Sequence, residues 1–467
     1  MKQMFWHSLK KKNIPIYLES SSQSFFFINS WDVANVIQDS HKFNIFFLNC
    51  ILKNKIIKSY KIINNNKNFL FIFFLKKFIT FFIKIFLIIK KPILLDNSYF
   101  NKKIKINLFI RSLGSIIFSS NFFKLFNNNQ YFKVDFESRL NLKIKNKDQY
   151  DRNFNKIFPY IIPINFYENF FNIIKNNKFF KKNISLLGSG INLHSDDVYK
   201  ILCADISNKK RLKNIVFQHG GLYGLLKKNM LEDIERKYSD KFYSWNNKSG
   251  LGMHNLTKFK KIKKFEIERN NEICLFTTYN YSYMGRFLYN FCPDYYIDSS
   301  VNINFYNKLN KNIKNFFILR LFPHDPLLVK KDWLNLLSEN NFDTVSKSNE
   351  RFIKLKIFIA DHISTPFFEA IFSGIPTVVY CDYRSYGFNK RFINLLKIAE
   401  KNNIIHLDGL SAANFINKNY KNILDWWNSE EVVIIKDKLK KYLFVEKKDY
   451  YKKIITDLHK VKILHHN

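Results

Sequence analysis

Ile357-Phe-Ile-Ala-Asp361-His-Ile-Ser-Thr365-Pro-Phe-Phe-Glu369, with Gly374-Ile-Pro376-Thr-Val-Val-Tyr380 shortly behind it, is the stretch that decides the fold. Ile357 to Ala360 is a short, continuous apolar run, the mark of a strand buried on both faces. Ser364 or Thr365 suits a helix N-cap, and Pro366 suits the first helical position. A helix is expected from Pro366 to Phe372, stopped by Gly374, with a strand from Pro376 to Tyr380. Strand, loop, helix, turn and strand in this order make one unit of a doubly wound parallel sheet.

The same stretch carries chemistry. With Thr365 as cap, the third helical position is Phe368, so Glu369 is not used in a capping box and lies one turn into the helix. A helix N-terminus offers unpaired N–H groups and a positive dipole end, which suit phosphate. It would sit just past the carboxyl end of a buried strand, where open α/β sheets bind ligands. Glu369 could then accept hydrogen bonds from ribose or sugar hydroxyls. The alternative is an ordinary capped helix with Glu369 in solvent.

Outward from this unit the C-terminal half continues the pattern. Ile273 to Thr277 reads as a strand, and Asn315 to Leu321 as another ending in Phe322-Pro-His-Asp325. Asn422 to Leu464 reads as mostly helical, with Trp426 and Trp427 as packing aromatics. In the N-terminal half, strands are expected at Asn44–Leu48, Pro92–Leu95, Ile106–Ile110, Ile184–Leu187, Asn214–Phe217 and Lys241–Trp245. Helices are expected at Asp196–Ile206 and Leu231–Tyr238. Alternating strands and helices argue for parallel sheets. At 467 residues the chain suits two domains. The basic segment from Lys258 onward, 258–270, is read as the linker between residues 1–257 and 271–420, with 421–467 as a helical tail.

Composition sets limits on function. Hydrophobic residues make up 46% and aromatics 18%, which excludes a disordered chain. The net charge of +38 points either to an anionic partner or to the codon bias of an AT-rich genome. The lysines are scattered, which favours codon bias, though weak attraction to anionic lipid would follow from either. Cys50, Cys203, Cys274, Cys292 and Cys381 form no CxxC pair or zinc spacing, which suggests reduced thiols and a cytosolic location. No secretory signal is visible at the start. Phe69 to Ile89 is broken by Lys76, Lys77 and Lys84, so it falls short of the roughly 20 apolar residues of a spanning helix. Peripheral contact with the inner face of a membrane is the minority reading.

Two further segments are candidates. Gln218-His-Gly-Gly-Leu-Tyr-Gly224 follows a strand, and Gly220 and Gly221 permit close backbone approach to a ligand. His219 beside them could act as general base or donate to phosphate, against the alternative of a tight turn with a structural histidine. In Arg320-Leu-Phe-Pro-His-Asp325, Arg320 and His324 could neutralise a leaving phosphate, with Asp325 orienting His324; alternatively Arg320 pairs with a carboxylate. His406, Tyr383, Arg384 and Tyr386 are weaker candidates; Glu232, Glu235 and Asp240, which follow the Gln-His-Gly-Gly loop, could supply a carboxylate, with helix-surface charge as the default for the two glutamates. There is no GxxxxGK[ST] loop, GxGxxG, GxSxG, HExxH or DxD pair, so no metal or cofactor is expected.

Taken together, these segments resemble a family of bacterial transferases linked to surface carbohydrate. The family shows Gln-His-Gly-Gly-x-Tyr-Gly and Ser-Asp-x-Phe-x-x-Trp, here Gln218–Gly224 and Ser239–Trp245. Its Arg-x-x-Pro-x-Asp matches Arg320, Pro323 and Asp325, and its Asp-x-x-Ser-Thr-x-x-x-Glu matches Asp361, Ser364, Thr365 and Glu369. The match covers Gln218 to Trp427, and the first two hundred residues match only vaguely. Leu222 departs from the further Gly that often stands at that position. The later motif also looks like the C-terminal lobe of CDP-glycerol glycerophosphotransferases and capsule Kdo transferases.

The resemblance implies a GT-B fold: two Rossmann-like α/β domains facing a cleft, with the C-terminal helix crossing back. A nucleotide-activated sugar donor would be held by Gly220, Gly221, Asp325, Asp361, His362, Ser364, Thr365 and Glu369. His219, Arg320 and His324 would serve catalysis, and the acceptor would be a glycan or lipid-linked molecule of a surface polysaccharide, capsule or lipopolysaccharide. A CDP-polyol phosphotransferase is the nearest rival. A nucleic-acid-binding protein or a non-catalytic scaffold ranks below it, since no RRM, KH or zinc-finger signature is present.

Overall fold

The computed structural model describes residues 83–98, 100, 102–120, 134–142, 149–209, 213–245, 262–268, 270–278, 300–322, 327–344, 348–443 and 450–463. The chain divides into two compact units. The smaller comprises Met1–Phe74 and Tyr131–Phe171. Its described part includes helix Gln149–Ile161 and a buried Arg139, which bonds both oxygens of Glu168 and the carbonyls of Pro159 and Ile162. The larger comprises Leu75–Gln130 and Asn172–Asn467, and it holds two parallel sheets.

The first sheet contains β1 (Ile93–Asp96), β2 (Ile116–Ser119), β3 (Leu186–Ser189), β4 (Lys213–Phe217) and β5 (Lys241–Tyr243) in the order β2-β1-β3-β4-β5. Its helices include α1 (Lys102–Arg111), α2 (Asp197–Lys209) and α3 (Met230–Lys237). The second sheet contains β6 (Glu272–Phe276), β7 (Phe317–Arg320), β8 (Leu355–Ala360), β9 (Thr377–Tyr380) and β10 (Ile405–His406) in the order β10-β9-β8-β6-β7. With it go α4 (Ser300–Lys308), α5 (Thr365–Ser373), α6 (Lys390–Lys401) and α7 (Gly409–Asn419), followed by α8 (Glu430–Leu443) and α9 (Tyr450–Ile463). Every strand pair in both sheets is parallel. The two orders are the same doubly wound arrangement, reversing direction between β1 and β3 in one sheet and between β6 and β8 in the other. This is the α/β architecture of two Rossmann-like halves.

The decisive stretch folds as read. β8 is buried along its last four residues, and α5 ends at Gly374 in the left-handed conformation at φ 86°. That conformation carries a steric cost for any residue with a Cβ. One expected strand is overturned: Ile106–Ile110 lies inside α1, where Ile104 and Leu108 are buried one turn apart. Ile106, Phe109 and Ile110 point outward, so the apolar run does not mark a buried strand. β2 was not expected, and Asn44–Leu48 falls outside the described residues. In the segment read as linker, Ile262 and Ile267 are buried in the core of the second sheet.

The C-terminal helices divide their allegiance. α8 buries Val432, Ile435, Leu439 and Leu443 against the second sheet. α9 crosses back and packs Ile454, Leu458 and Val461 on the first, among Ile93, Leu108, Ile116 and Ile215. Asp457 of α9 accepts from Lys241 Nζ at 2.7 Å and from the Tyr243 hydroxyl. Trp427 is buried and its Nε1 donates to the carbonyl of Gly374, so it closes the turn after α5. Cys203, Cys274 and Cys381 are buried free thiols. Among the described residues no helix is long and apolar enough to cross a membrane.

Candidate functional site

The loop after β4 is shaped by one side chain. Gln218 Nε2 donates to the carbonyl of Gly220 at 2.6 Å, and Gln218 Oε1 accepts from the backbone N–H of Trp245 at 2.8 Å. The Trp245 indole donates in turn to the Gln218 carbonyl at 3.1 Å. The Gln-His-Gly-Gly loop and the Ser239–Trp245 segment are thus one hydrogen-bonded unit.

From there the loop reaches the second sheet. The Gly221 N–H donates to Thr365 Oγ1 at 2.9 Å. A Cβ on Gly221 would lie 2.5 Å from Phe368 Cδ2 and 3.1 Å from Thr365 Cα, so only glycine permits this approach. Gly224, at φ 71°, donates to Glu232 Oε2 at 2.7 Å, and its carbonyl accepts from Asn389. Leu226 bridges Phe388, and Leu222, Leu225 and Leu226 join the apolar core of the second sheet. The two motifs expected to share a site are therefore in direct contact, at the carboxyl ends of β4 and β8.

The second sheet's edge holds a polar chain. Asp361 follows β8 at the switch point beside β6, and its carboxylate accepts from the N–H of Thr278 at 2.9 Å and from Asn302 Nδ2 at 2.9 Å. The Tyr380 hydroxyl donates to Asn302 Oδ1 at 2.6 Å. Burial first, and then the nearby Asp361, push that phenol well above its ordinary pKa, so it stays a donor. Asp361 Oδ1 lies 2.6 Å from His362 Nδ1, and His362 Nε2 lies 2.6 Å from Ser364 Oγ. Ser364 occupies the N-cap of α5 without bonding the helix's own N–H groups, because its hydroxyl faces His362 instead. Thr365 Oγ1 accepts from Gly221 and keeps its own hydrogen to donate. Glu369 is buried within α5.

On the first sheet, His219 joins two residues that the sequence did not single out as its partners. Glu235 Oε1 lies 2.7 Å from His194 Nε2 and 3.2 Å from His219 Nδ1. The Tyr223 hydroxyl also lies 3.2 Å from His219 Nδ1. Burial pushes the Glu235 carboxyl up, but the hydrogen bonds and charges of His194 and His219 outweigh it and hold the pKa below its ordinary value. Glu232 and Glu235, expected as surface charges, are both buried. The reason is that α3 packs its i, i+3 face against the glycine loop and the histidines, which supply partners for the carboxylates. The signal for Glu235 was its place in a helix following the Gln-His-Gly-Gly loop. His194, on the turn Asn192–Ser195 after β3, gave none. Beside it at the first sheet's switch point, Asn192 donates to the buried Asp96 at 2.8 Å.

The other candidates settle as follows. Arg320 ends β7, where its guanidinium pairs with the buried carboxylate of Asp343 and lies 5.3 Å from the Phe276 ring. His324 and Asp325 lie outside the described residues. Gly220 has room, its nearest potential contact being Tyr223 at 3.4 Å. His406 is buried between Ser411 and the carbonyl of Asn403. Tyr383 donates to Glu400, Arg384 pairs with Asp382 on the surface, and Tyr386 stacks on Phe388.

Comparison with known proteins adds a family. The family model described as LIC12162 family transferase matches residues 1–466. No curated protein matches the chain. Among solved structures, HepE from Anabaena in complex with UDP is 10% identical, covers 79% of this chain and 98% of its own, and superposes with a TM-score of 0.38. The spinosyn rhamnosyltransferase SpnG with spinosyn aglycone is 9% identical over 79% of this chain and 100% of its own, at a TM-score of 0.34. WaaG, a glycosyltransferase involved in lipopolysaccharide biosynthesis, is 10% identical over 79% and 99%, at 0.32.

Proposed function

Since the chain belongs to the LIC12162 family of transferases, we propose that it moves a sugar-like group from a nucleotide-activated donor to a glycan or lipid-linked acceptor. The observation that carries this reading is the hydrogen bond from Gly221 to Thr365, which joins the glycine loop of one sheet to the phosphate-suited helix end of the other.

In this reading the donor's phosphate docks at the N-terminus of α5. The dipole end and the Ser364 and Thr365 hydroxyls favour negative charge there. Asp361 fixes His362 so that its Nε2 faces Ser364. A protonated His362 would donate to Ser364 Oγ and free the serine hydrogen for the phosphate. Arg320 is engaged by Asp343, so His362, through Ser364, is the better placed hydrogen-bond source for the leaving group. Glu369 takes the ribose or sugar hydroxyls.

The acceptor hydroxyl approaches His219. Its oxygen forms a bond to the donor's sugar carbon, and the bond from that carbon to the phosphate oxygen breaks. The electron pair leaves with the nucleotide. The hydroxyl proton passes to His219 Nε2, while the Nδ1 hydrogen faces Glu235, which stabilises the cation formed. The step itself asks for no metal ion.

The test is a thermal-shift screen against nucleotides and activated donors, repeated on Glu369→Ala. A donor that stabilises the wild type and loses that stabilisation in the variant supports the site. Stabilisation by CDP-glycerol alone would transfer the reading to polyol phosphate. No shift with any nucleotide would remove the donor site altogether.

A further inference from the structure

His194, His219 and Glu235 offer two imidazole nitrogens and one carboxylate oxygen that all lie within 4.8 Å of one another. We propose that this trio binds a divalent transition-metal ion of the zinc class.

Three observations point the same way. The donor set of two imidazoles and a carboxylate is the one zinc-class ions take, whereas magnesium and calcium prefer all-oxygen sites. The trio is also nearly in place. Zinc bonds of about 2.0–2.2 Å put tetrahedral ligand atoms roughly 3.3 Å apart. The two nitrogens already lie 2.7 Å and 3.2 Å from Glu235 Oε1, so shifts of about 1 Å would set three ligands around the ion and leave its fourth position to water. Finally, Glu235 is fully buried, and while its Oε1 takes both histidines, its Oε2 has no hydrogen-bond partner. A buried carboxylate oxygen left unsatisfied costs free energy, and a cation that Oε2 reaches as well as Oε1 removes that cost.

The ligands come from three separate elements. His194 sits on the turn after β3, His219 on the loop after β4, and Glu235 on α3. Each is anchored by its own packing, so the site does not depend on one flexible segment. The side chains of His194 and His219 keep 13% and 16% exposure, which leaves an entry path from their side. To bind, each ring carries its hydrogen on its other nitrogen and gives the freed lone pair to the ion. A hydrogen on Nε2 of His219 would stop that atom from accepting the acceptor's proton. The ion therefore competes with the base and takes no part in the transfer step. The inference does not rest on the transferase reading.

The experiment uses the full-length chain, stripped with EDTA and titrated with ZnCl2 by calorimetry, with bound zinc counted by elemental analysis after dialysis. One zinc per chain is expected. His194→Ala should weaken binding by more than the ~100-fold that loss of a merely supporting partner can cost. Thermal unfolding without metal confirms that this partly exposed substitution leaves the fold intact, and Glu235→Gln gives a second reading. Wild type that retains no zinc above the dialysis blank overturns the proposal. So does wild-type affinity in a His194→Ala/His219→Ala double variant, which would put the ion on the cysteines or on His465 and His466.

Discussion

Gly221→Ala tests the contact on which the proposed site depends, and its effect can be worked from the structure. The added Cβ would stand 2.5 Å and 2.6 Å from Phe368 Cδ2 and Cε2. That is about 1 Å inside the ~3.5 Å at which carbon atoms rest. Phe368 is 1% exposed, with the Phe367 and Phe392 rings 5.3 Å and 6.3 Å away, so it cannot swing clear. Leu225, four residues on and buried in the same core as Phe368, holds the loop against retreat. Overpacking of this kind costs ~1–3 kcal/mol. If the loop backs off, the bond to Thr365 Oγ1 is lost as well, for about 1 kcal/mol more. Reduced entropy of the unfolded chain returns ~0.4–1 kcal/mol. The net expectation is a destabilisation of roughly 2 kcal/mol. Gly220→Ala is the internal control: its nearest contact is 3.4 Å, so it should stay within about 1 kcal/mol of wild type. Urea unfolding reads both. A Gly221→Ala protein as stable as Gly220→Ala refutes the close approach. In a double-mutant cycle, Phe368→Ala should relieve Gly221→Ala by about 1 kcal/mol or more.

Three further outcomes follow from the same contacts. Arg320→Ala strips the buried Asp343 of its strongest partner and should cost on the order of 3 kcal/mol in urea unfolding; a variant of wild-type stability that has lost turnover would restore Arg320 to the leaving group. His219→Asn should lower kcat while leaving donor affinity unchanged by calorimetry, because the residue faces the acceptor in the proposed reading; loss of donor binding would place it elsewhere. Burial holds the His406 pKa below its ordinary value of about 6.5, so the unfolded chain takes the proton first. The stability this provides is present above pH ~6.5 and drains away below it. The fall in melting temperature from pH 7.5 to 5.5 should therefore be smaller in His406→Asn than in wild type, and an equal fall in both would exclude His406 as a source.

Much of the second sheet could be read directly because its strands are short apolar runs bounded by turn residues. β8, α5, Gly374 and β9 need only local chemistry: apolar burial, a proline at the helix start and a glycine at its end. The first sheet was harder because isoleucine and phenylalanine are abundant everywhere in this chain. They stand on the solvent side of α1 as well as the core side, so the 3.6-residue period is erased and Ile106–Ile110 looks like a strand. β2 carries the run Ile116-Ile-Phe118, but in a chain where such apolar triplets also lie on helices it does not stand out as a strand, and three of its four residues are only partly buried.

The sequence by itself determined that two buried strands end at Gln218–Gly224 and at Asp361–Glu369, giving way to a glycine loop in one case and a capped helix in the other. Those are properties of neighbouring residues. Which side chains answer one another was decided only by the tertiary structure. It joined Gly221 to Thr365 across 144 residues, took Arg320 to Asp343, and sank Glu235 beneath His194 and His219. The physical reason is that a charge or hydrogen-bond donor is satisfied by whatever lies within about 3 Å in space, and distance along the chain does not enter.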